Sequence, residues 1–520
     1  MRKGIIWLAT LLLALAMLLA SPAALAAPVD DSKQLREAVT LKQIRKHQAA
    51  LQAIADANGG TRASGTPGYD QSVNYLVKKL RGAGYSPTLF PFDFAFFREL
   101  APAELAQVSP TPQTYPTGTF TYSGSGDVTR AVTPVDVTVA PPPPTPSSTS
   151  GCEASDFAGF PAGNVALIQR GTCTFQVKAL NAQAAGASAV VIFNEGQPGR
   201  TDLIVGTLGA PGVTVPVVGL SYANGEAIVL QVQGGATVTL HVKTSTESEI
   251  RRTVNVLADT DKKGDPNNVV VVGAHLDSVI PGPGINDNGS GSATILEIAV
   301  QLAKFKHANR VRFAWWGAEE LGLIGSTRYV ASLSNTQKDA IALNLNFDMV
   351  GSPNFVRFVY DGDNSAFPPG GGVQPGPPGS GAIEQAFTGY FTGQGLASEP
   401  TPFNGRSDYG PFITTTSPEH PNGIPAGGLF TGAEGIKTPA QQATYGGTAG
   451  IAYDPCYHQA CDTSANVSTV GLDQMSDAAA HAVITFAKST AGVRAQPATA
   501  GTRVSTLKPV NHEAQGRPAA

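Results

Sequence analysis

Two histidines and a set of carboxylates stand in this sequence at positions from which they could share divalent cations. Ala274-His275-Leu276-Asp277-Ser278 is followed, after a loop rich in glycine and proline, by Gly284-Ile285-Asn286-Asp287-Asn288-Gly289-Ser290-Gly291. Trp316-Gly317-Ala318-Glu319-Glu320 and Asp348 come next, and His458 lies far downstream. Imidazole nitrogen and carboxylate oxygen are donors that zinc takes at about 2 Å, and a catalytic ion keeps one position open. Two ions about 3.5–4 Å apart can be joined by one carboxylate and together turn water into a hydroxide nucleophile. His275, Asp287, Glu320, Asp348 and His458 suffice for one bridging acid and two further ligands per ion. Asp277, two residues past His275, is placed to orient that imidazole through its second nitrogen. Glu319 and Glu320 are adjacent, so in a continuing strand they point to opposite faces. One is then a ligand, and the other a free general base that takes a proton from water and passes it to the leaving amine.

These residues need a scaffold that delivers them to one place. Residues 269–273 form a nearly all-apolar run, as expected of a strand buried on both faces of a parallel sheet. A helix is expected over 292–305, a strand over 311–316, a helix over 327–333 and a strand over 342–347. Such alternation predicts an α/β fold, a three-layer αβα sandwich around a mostly parallel mixed sheet. Ligands of such sheets collect at the carboxyl ends of the strands, which is where the histidine and acids stand. The Gly-rich loop has no following Gly-Lys-Ser/Thr, so a phosphate-binding loop is not supported. No Gly-x-Ser-x-Gly elbow with a partnering histidine stands at a strand end either.

The rest of the chain reads as support. Helical spacing runs over 32–57 and again over 69–80, followed by extended sequence around 88–97. After Ala101 proline, threonine, serine and glycine accumulate up to Pro141-Pro142-Pro143-Pro144, which is read as loop or linker. From 151 to about 242 a separate rhythm appears, with strands over 165–168, 189–193, 215–220 and 229–242 and a helix near 175–185. This region has no histidine before His241 and is not expected to carry catalysis. The expected division is residues 33–100 and 245–488 for the domain that carries the histidines and acids, 101–244 for an inserted unit with its proline-rich linker, and 489–520 for a low-complexity tail.

Residues 1–26 have the basic, apolar and small-residue order of a signal peptide. No later segment reaches about 18 uninterrupted apolar residues, so export without a membrane anchor is expected, to the extracellular space or periplasm. The net charge of −4, with 14% charged residues and no long run of either sign, leaves no electrostatic footprint for nucleic acid. Cys152, Cys173, Cys456 and Cys461 form two sequence-local pairs. In an exported chain two local disulfides are the favoured reading among three connectivities.

At the strings quoted above the chain resembles the secreted co-catalytic dizinc aminopeptidases, which include the Streptomyces-type leucine aminopeptidases and aminopeptidase Y. The resemblance extends over Asn346-Phe347-Asp348-Met349 and Cys456-Tyr457-His458-Gln459-Ala460-Cys461, and covers roughly residues 33–100 and 245–488. It implies His275 and Asp348 on one Zn2+, Glu320 and His458 on the other, and Asp287 bridging. It further implies Glu319 as general base and Tyr457 as the donor that stabilises the oxyanion. Phe430, in Gly427-Gly428-Leu429-Phe430-Thr431-Gly432, is implied as a lining residue of an apolar pocket for the N-terminal side chain. Arg406-Ser407-Asp408 matches a loop near the site, with Arg406 a substrate-binding candidate, although Tyr409 stands where a histidine is common. Some relatives bind Ca2+ through acids corresponding to Asp473 and Asp477; a solvated helix face is the plainer reading here. Residues 160–171 and 175–194 resemble a protease-associated domain, stapled by Cys152 and Cys173. The implied activity is hydrolysis of the N-terminal peptide bond of peptides or proteins, with a preference for large apolar residues such as Leu, by a monomer. Alternatives are a carboxypeptidase or dipeptidase of the same clan, a one-zinc glutaminyl cyclase, and a non-catalytic receptor-like module, whose usual loss of ligands is not seen.

Overall fold

Apolar residues alternate sides along the central strands, and this fixes a layered architecture. The computed structural model describes residues 32–139, 148–260 and 264–495; the expected signal peptide, the proline run and the chain after residue 495 lie outside them. The strands are β1 (Thr88–Ser109), β2 (Gln113–Thr114), β3 (Gly126–Val135), β4 (Val165–Gln169), β5 (Ala189–Phe193), β6 (Val217–Leu220) and β7 (Thr239–Asp259). They continue with β8 (Asp265–His275), β9 (Asn309–Trp316), β10 (Ile341–Phe347), β11 (Phe358–Tyr360), β12 (Glu399–Thr401) and β13 (Ala426–Phe430).

Strands β13, β10, β8 and β9 are parallel neighbours in that order, with β7 antiparallel to β9 and β11 antiparallel to β13. Val270, Val272, Phe313, Trp315, Leu343 and Leu345 point to one face and pack on the helices Leu41–Ala57, Pro67–Gly82, Gly289–Leu302 and Thr469–Lys488. Val269, Val271, Ala314 and Trp316 point to the other, against Tyr329 and Phe412 of the helices Ile324–Ser332 and Gly410–Thr414. This is the expected three-layer sandwich with a mostly parallel mixed sheet.

Several local expectations change. The helix expected over 32–57 is two, Lys33–Ala38 and Leu41–Ala57, because Val39 is extended and Thr40 caps the second through Gln43 N. The stretch after Ala101, read as linker, is largely strand: β1 runs on to Ser109, and β3 follows. Pro102 is accommodated because pairing with β7 is irregular between Glu99 and Glu104, as bulges allow. The single strand expected over 229–242 is the end of a helix, Tyr222–Gln233, and the start of β7. Ser221 caps that helix through Asn224 N, and Gly234-Gly235 ends it.

β1 and β7 pair antiparallel from Thr88↔Leu257 to Ser109↔Thr239. They form a ribbon whose one end joins β9 in the central sheet while the other, through β3, continues into the parallel strands β4, β5 and β6. The boundaries expected at 100/101 and 244/245 therefore fall inside two continuous strands. Strands β3 to β6 bury one face on the helix Tyr222–Gln233 and the other on Phe175–Ala184. Cys152 is bonded to Cys173 and Cys456 to Cys461, the two local pairs expected. The segment after 489 begins with a short helix, Ala491–Arg494, that buries Val493.

Leu345 is fully buried at the centre of the sheet. Leu345→Ala should destabilise the protein by about 2–5 kcal/mol, read as a shift of the urea unfolding midpoint.

Candidate metal centre

Parallel strands ending at one edge bring the chemistry together. His275 is the last residue of β8, Asp348 follows the last residue of β10, and Glu319 and Glu320 lie three and four residues past the end of β9. The two glutamates are in a turn, not a continuing strand. Ala318 has φ 53°, and the turn is held by Ala318 N donating to Ser64 Oγ (2.8 Å) and Glu319 N donating to Asp277 Oδ1 (3.3 Å).

Asp287 sits between the imidazoles. Its Oδ1 is 3.2 Å from His275 Nε2 and its Oδ2 is 3.3 Å from His458 Nε2. Asp348 Oδ1 is also 3.2 Å from His275 Nε2, Glu320 Oε2 is 2.9 Å from His458 Nε2, and Glu319 Oε2 stands further off, 3.9 Å from His275. His275 Nδ1 lies 3.1 Å from the backbone carbonyl oxygen of Asp277 and 3.6 Å from its carboxylate. The Asp277 carbonyl thus accepts the ring N–H, with the carboxylate charge behind it, and Nε2 faces the acids.

The donor set fits divalent cations. Ligand atoms of His275, Asp287 and Glu320, and of His275, Glu319 and Asp348, lie within 4.8 Å of one another. The buried Glu320 Oε1 has no hydrogen-bond partner, a lone pair left for something other than protein. Burial disfavours a charged His275, yet Asp348 and Glu319 outweigh it and hold its pKa well above the usual histidine value. His458 is raised to about 11 against its own burial, chiefly by Glu320. Burial pushes Glu319 well above the usual carboxylate range and, with Asp287, raises Glu320 to about 7. So much negative charge in a buried place calls for cations.

A supporting shell surrounds these side chains, formed by residues of the matching strings together with Arg62 and Asp462, which lie outside those strings. Asp348 Oδ2 accepts from Ser407 Oγ (2.6 Å), which accepts from Asn346 Nδ2 (2.8 Å). The backbone of Asn286 and Asp287 donates to the Asp462 carboxylate at 2.8 and 2.9 Å. Arg62 is buried and donates to the carbonyls of Leu276, Pro283 and Gly284, tying down the loop between His275 and Asp287. Asn288 caps the helix Gly289–Leu302 and donates to Phe347 O at 2.9 Å. A Cβ on Gly291 would lie 2.1 Å from that same oxygen, so only glycine lets helix and strand end meet there. Asp462, beside the Cys456–Cys461 pair and within the matching region, was findable; Arg62 carries no local signal.

A cleft of about 200 Å³ opens over the acids. Asp287, Glu319, Asp348 and His458 line its floor, and Phe430, Arg406, Glu434 and Tyr457 its walls. Phe430 stacks on Phe358 with ring centroids 6.1 Å apart. Arg406 pairs with Glu434 at 2.5 Å and donates to the Tyr457 hydroxyl at 3.3 Å. Tyr409 is buried; its hydroxyl accepts from Asn404 N and Gly405 N, each at 3.0 Å, and so holds the loop carrying Arg406. Asp473 and Asp477 belong to none of the metal-competent groups among the described residues; the third such group is Asp361, Asp363 and Glu384.

Ser407→Ala should leave Asp348 free to rotate and lower zinc affinity by about 10- to 100-fold, measured by competition with a chromophoric chelator.

Residues 255–483 match Peptidase family M28 and residues 135–228 match the PA domain. An aminopeptidase of Pseudomonas aeruginosa is 47% identical over 494 residues, 94% of this chain and 87% of that protein. A probable leucine aminopeptidase 2 of Aspergillus fumigatus is 40% identical over 428 residues, 82% of this chain and 79% of its own length. Among solved structures, an aminopeptidase from an Aneurinibacillus strain superposes with a TM-score of 0.58 at 27% identity, covering 88% of this chain and 96% of that one. A zinc aminopeptidase from Bacillus subtilis shares the fold, with a TM-score of 0.53 at 24% identity over 86% of this chain and 95% of that one. With nearly half its residues shared over almost its whole length with one aminopeptidase, and an acidic edge that fits zinc, the chain belongs to peptidase family M28, as a metallo-aminopeptidase carrying a PA domain.

Proposed function

We propose that this is an exported dizinc aminopeptidase that removes large apolar residues such as Leu from peptide N-termini. The observation that carries the reading is the placement of Asp287, whose two carboxylate oxygens face two different imidazoles. His275 with Asp348 would hold one ion, His458 with Glu320 the other, and Asp287 both. Two zinc ions held there would polarise the scissile carbonyl and make water a nucleophile near neutral pH.

The remaining chemistry belongs to side chains. Glu319 is the acid of the cluster farthest from an imidazole nitrogen, and its burial raises its proton affinity. It is the general base that takes the proton of the attacking water and returns it to the leaving amine. Because Arg406 donates to the Tyr457 oxygen, the phenol's own proton is free to point into the cleft. There it donates to the carbonyl oxygen as negative charge develops. Glu434, a wall residue of the cleft that also pairs with Arg406, is placed to accept a hydrogen bond from a free ammonium group. Phe430 offers an apolar wall for the first side chain. The fungal relative's name, leucine aminopeptidase, supports that preference. Export is supported by the two disulfides, and no described helix is long and apolar enough to cross a membrane.

Leu-nitroanilide should be cleaved and its N-acetyl derivative left intact; equal cleavage of both would refute an aminopeptidase. Chelation should abolish turnover, and zinc should restore it with two ions per chain by elemental analysis. Glu319→Ala should retain zinc while kcat falls by about 10²–10⁴-fold. An unchanged kcat would remove Glu319 from the role of base.

A further inference from the structure

A second cavity, of about 230 Å³, is lined by Glu320 and shares no lining residue with the cleft that Glu319 and Phe430 line. Phe96 and Phe97 of β1, Ile280 of the loop after Asp277, and Leu321 form its apolar walls, and Asp277 and Glu320 contribute its polar part. Adjacent residues thus serve adjacent spaces: Glu319 lines the cleft and Glu320 the cavity.

From this geometry we infer that the cavity receives the side chain of the residue that follows the scissile bond, favouring bulky apolar residues and disfavouring acidic ones. The inference rests on the aminopeptidase reading, in which the first residue occupies the cleft. A peptide bond held at Glu319 then places its next residue beside the other space that the Glu319-Glu320 pair borders.

The cavity is preformed. Arg251 covers the Phe96 ring with its guanidinium carbon 3.6 Å from the centroid, and Phe97 packs edge-on against Tyr122 at 5.8 Å. One wall is therefore set by the PA-domain side of the molecule, since Tyr122 belongs to the core of that unit. Leu321 is 44% exposed, an apolar side chain left at the edge of a charged site until another apolar group covers it. An acidic side chain entering the same space would be desolvated among apolar walls, with no Lys, Arg or His among the lining residues to pair with it.

The test compares kcat/KM for Leu-Phe-amide, Leu-Gly-amide and Leu-Glu-amide with the zinc-loaded full chain. The Phe substrate should exceed the Gly substrate by on the order of 10-fold, and Glu should fall below Gly. Ile280→Asp should bring the Phe/Gly ratio close to one, and Ile280→Leu should preserve it. Leu321→Ser, at an exposed position, gives the same reading should Ile280→Asp not fold. A wild-type ratio near one, or a ratio that none of these substitutions moves, overturns the inference. Failure of the wild-type enzyme to hydrolyse Leu-amide would instead overturn the aminopeptidase reading itself.

Discussion

One carboxylate has to face two imidazoles at once, and most of the structure serves that requirement. Asp287 cannot be held by its own side chain, because both oxygens are committed to the site. It is held by its backbone, through Asp462, within a loop pinned by Arg62 and continued into a helix that Asn288 caps. The two imidazoles come from opposite kinds of structure. His275 is fixed by a buried strand and by the Asp277 carbonyl. His458, at φ 58°, is presented by a short loop whose ends are joined by Cys456 and Cys461. A parallel sheet supplies the other acids because its strands all end at the same edge.

The same logic explains what was legible in the sequence. The all-apolar run 269–273, bounded by turn signals, fits a doubly buried strand, and with the alternating strand–helix order it located the strand ends where His275 and Asp348 stand. Glu319 and Glu320 were located for a partly wrong reason: alternation along a strand does not separate them, since the chain has already turned at Ala318. Their difference lies in distance, with Glu320 against His458 and Glu319 set back.

What composition hid was pairing over long range. A stretch rich in proline and threonine looked like linker, yet β1 continues into it as far as Ser109 because β7 offers a partner and the irregularities near Ala101 absorb Pro102. Arg62 was invisible for a related reason. Its importance comes from carbonyls more than 200 residues away in sequence, which no local pattern encodes. Ser407 could be connected to the site through its loop, but its grip on Asp348 is a property of side-chain geometry alone.

The β1–β7 ribbon also governs the order in which the molecule can be made. Thr88 must find Leu257, and everything between them is synthesised first, so β1 leaves the ribosome with no partner for its edge. Closing so large a loop costs entropy that rises only with the logarithm of its length, and that cost shrinks when the intervening chain has already collapsed around β4, β5 and β6. An inserted unit that folded first would bring the two strands close together before the catalytic sheet is completed. An unpaired aromatic strand edge is prone to aggregation, so the length of the insertion sets how long β1 waits for β7.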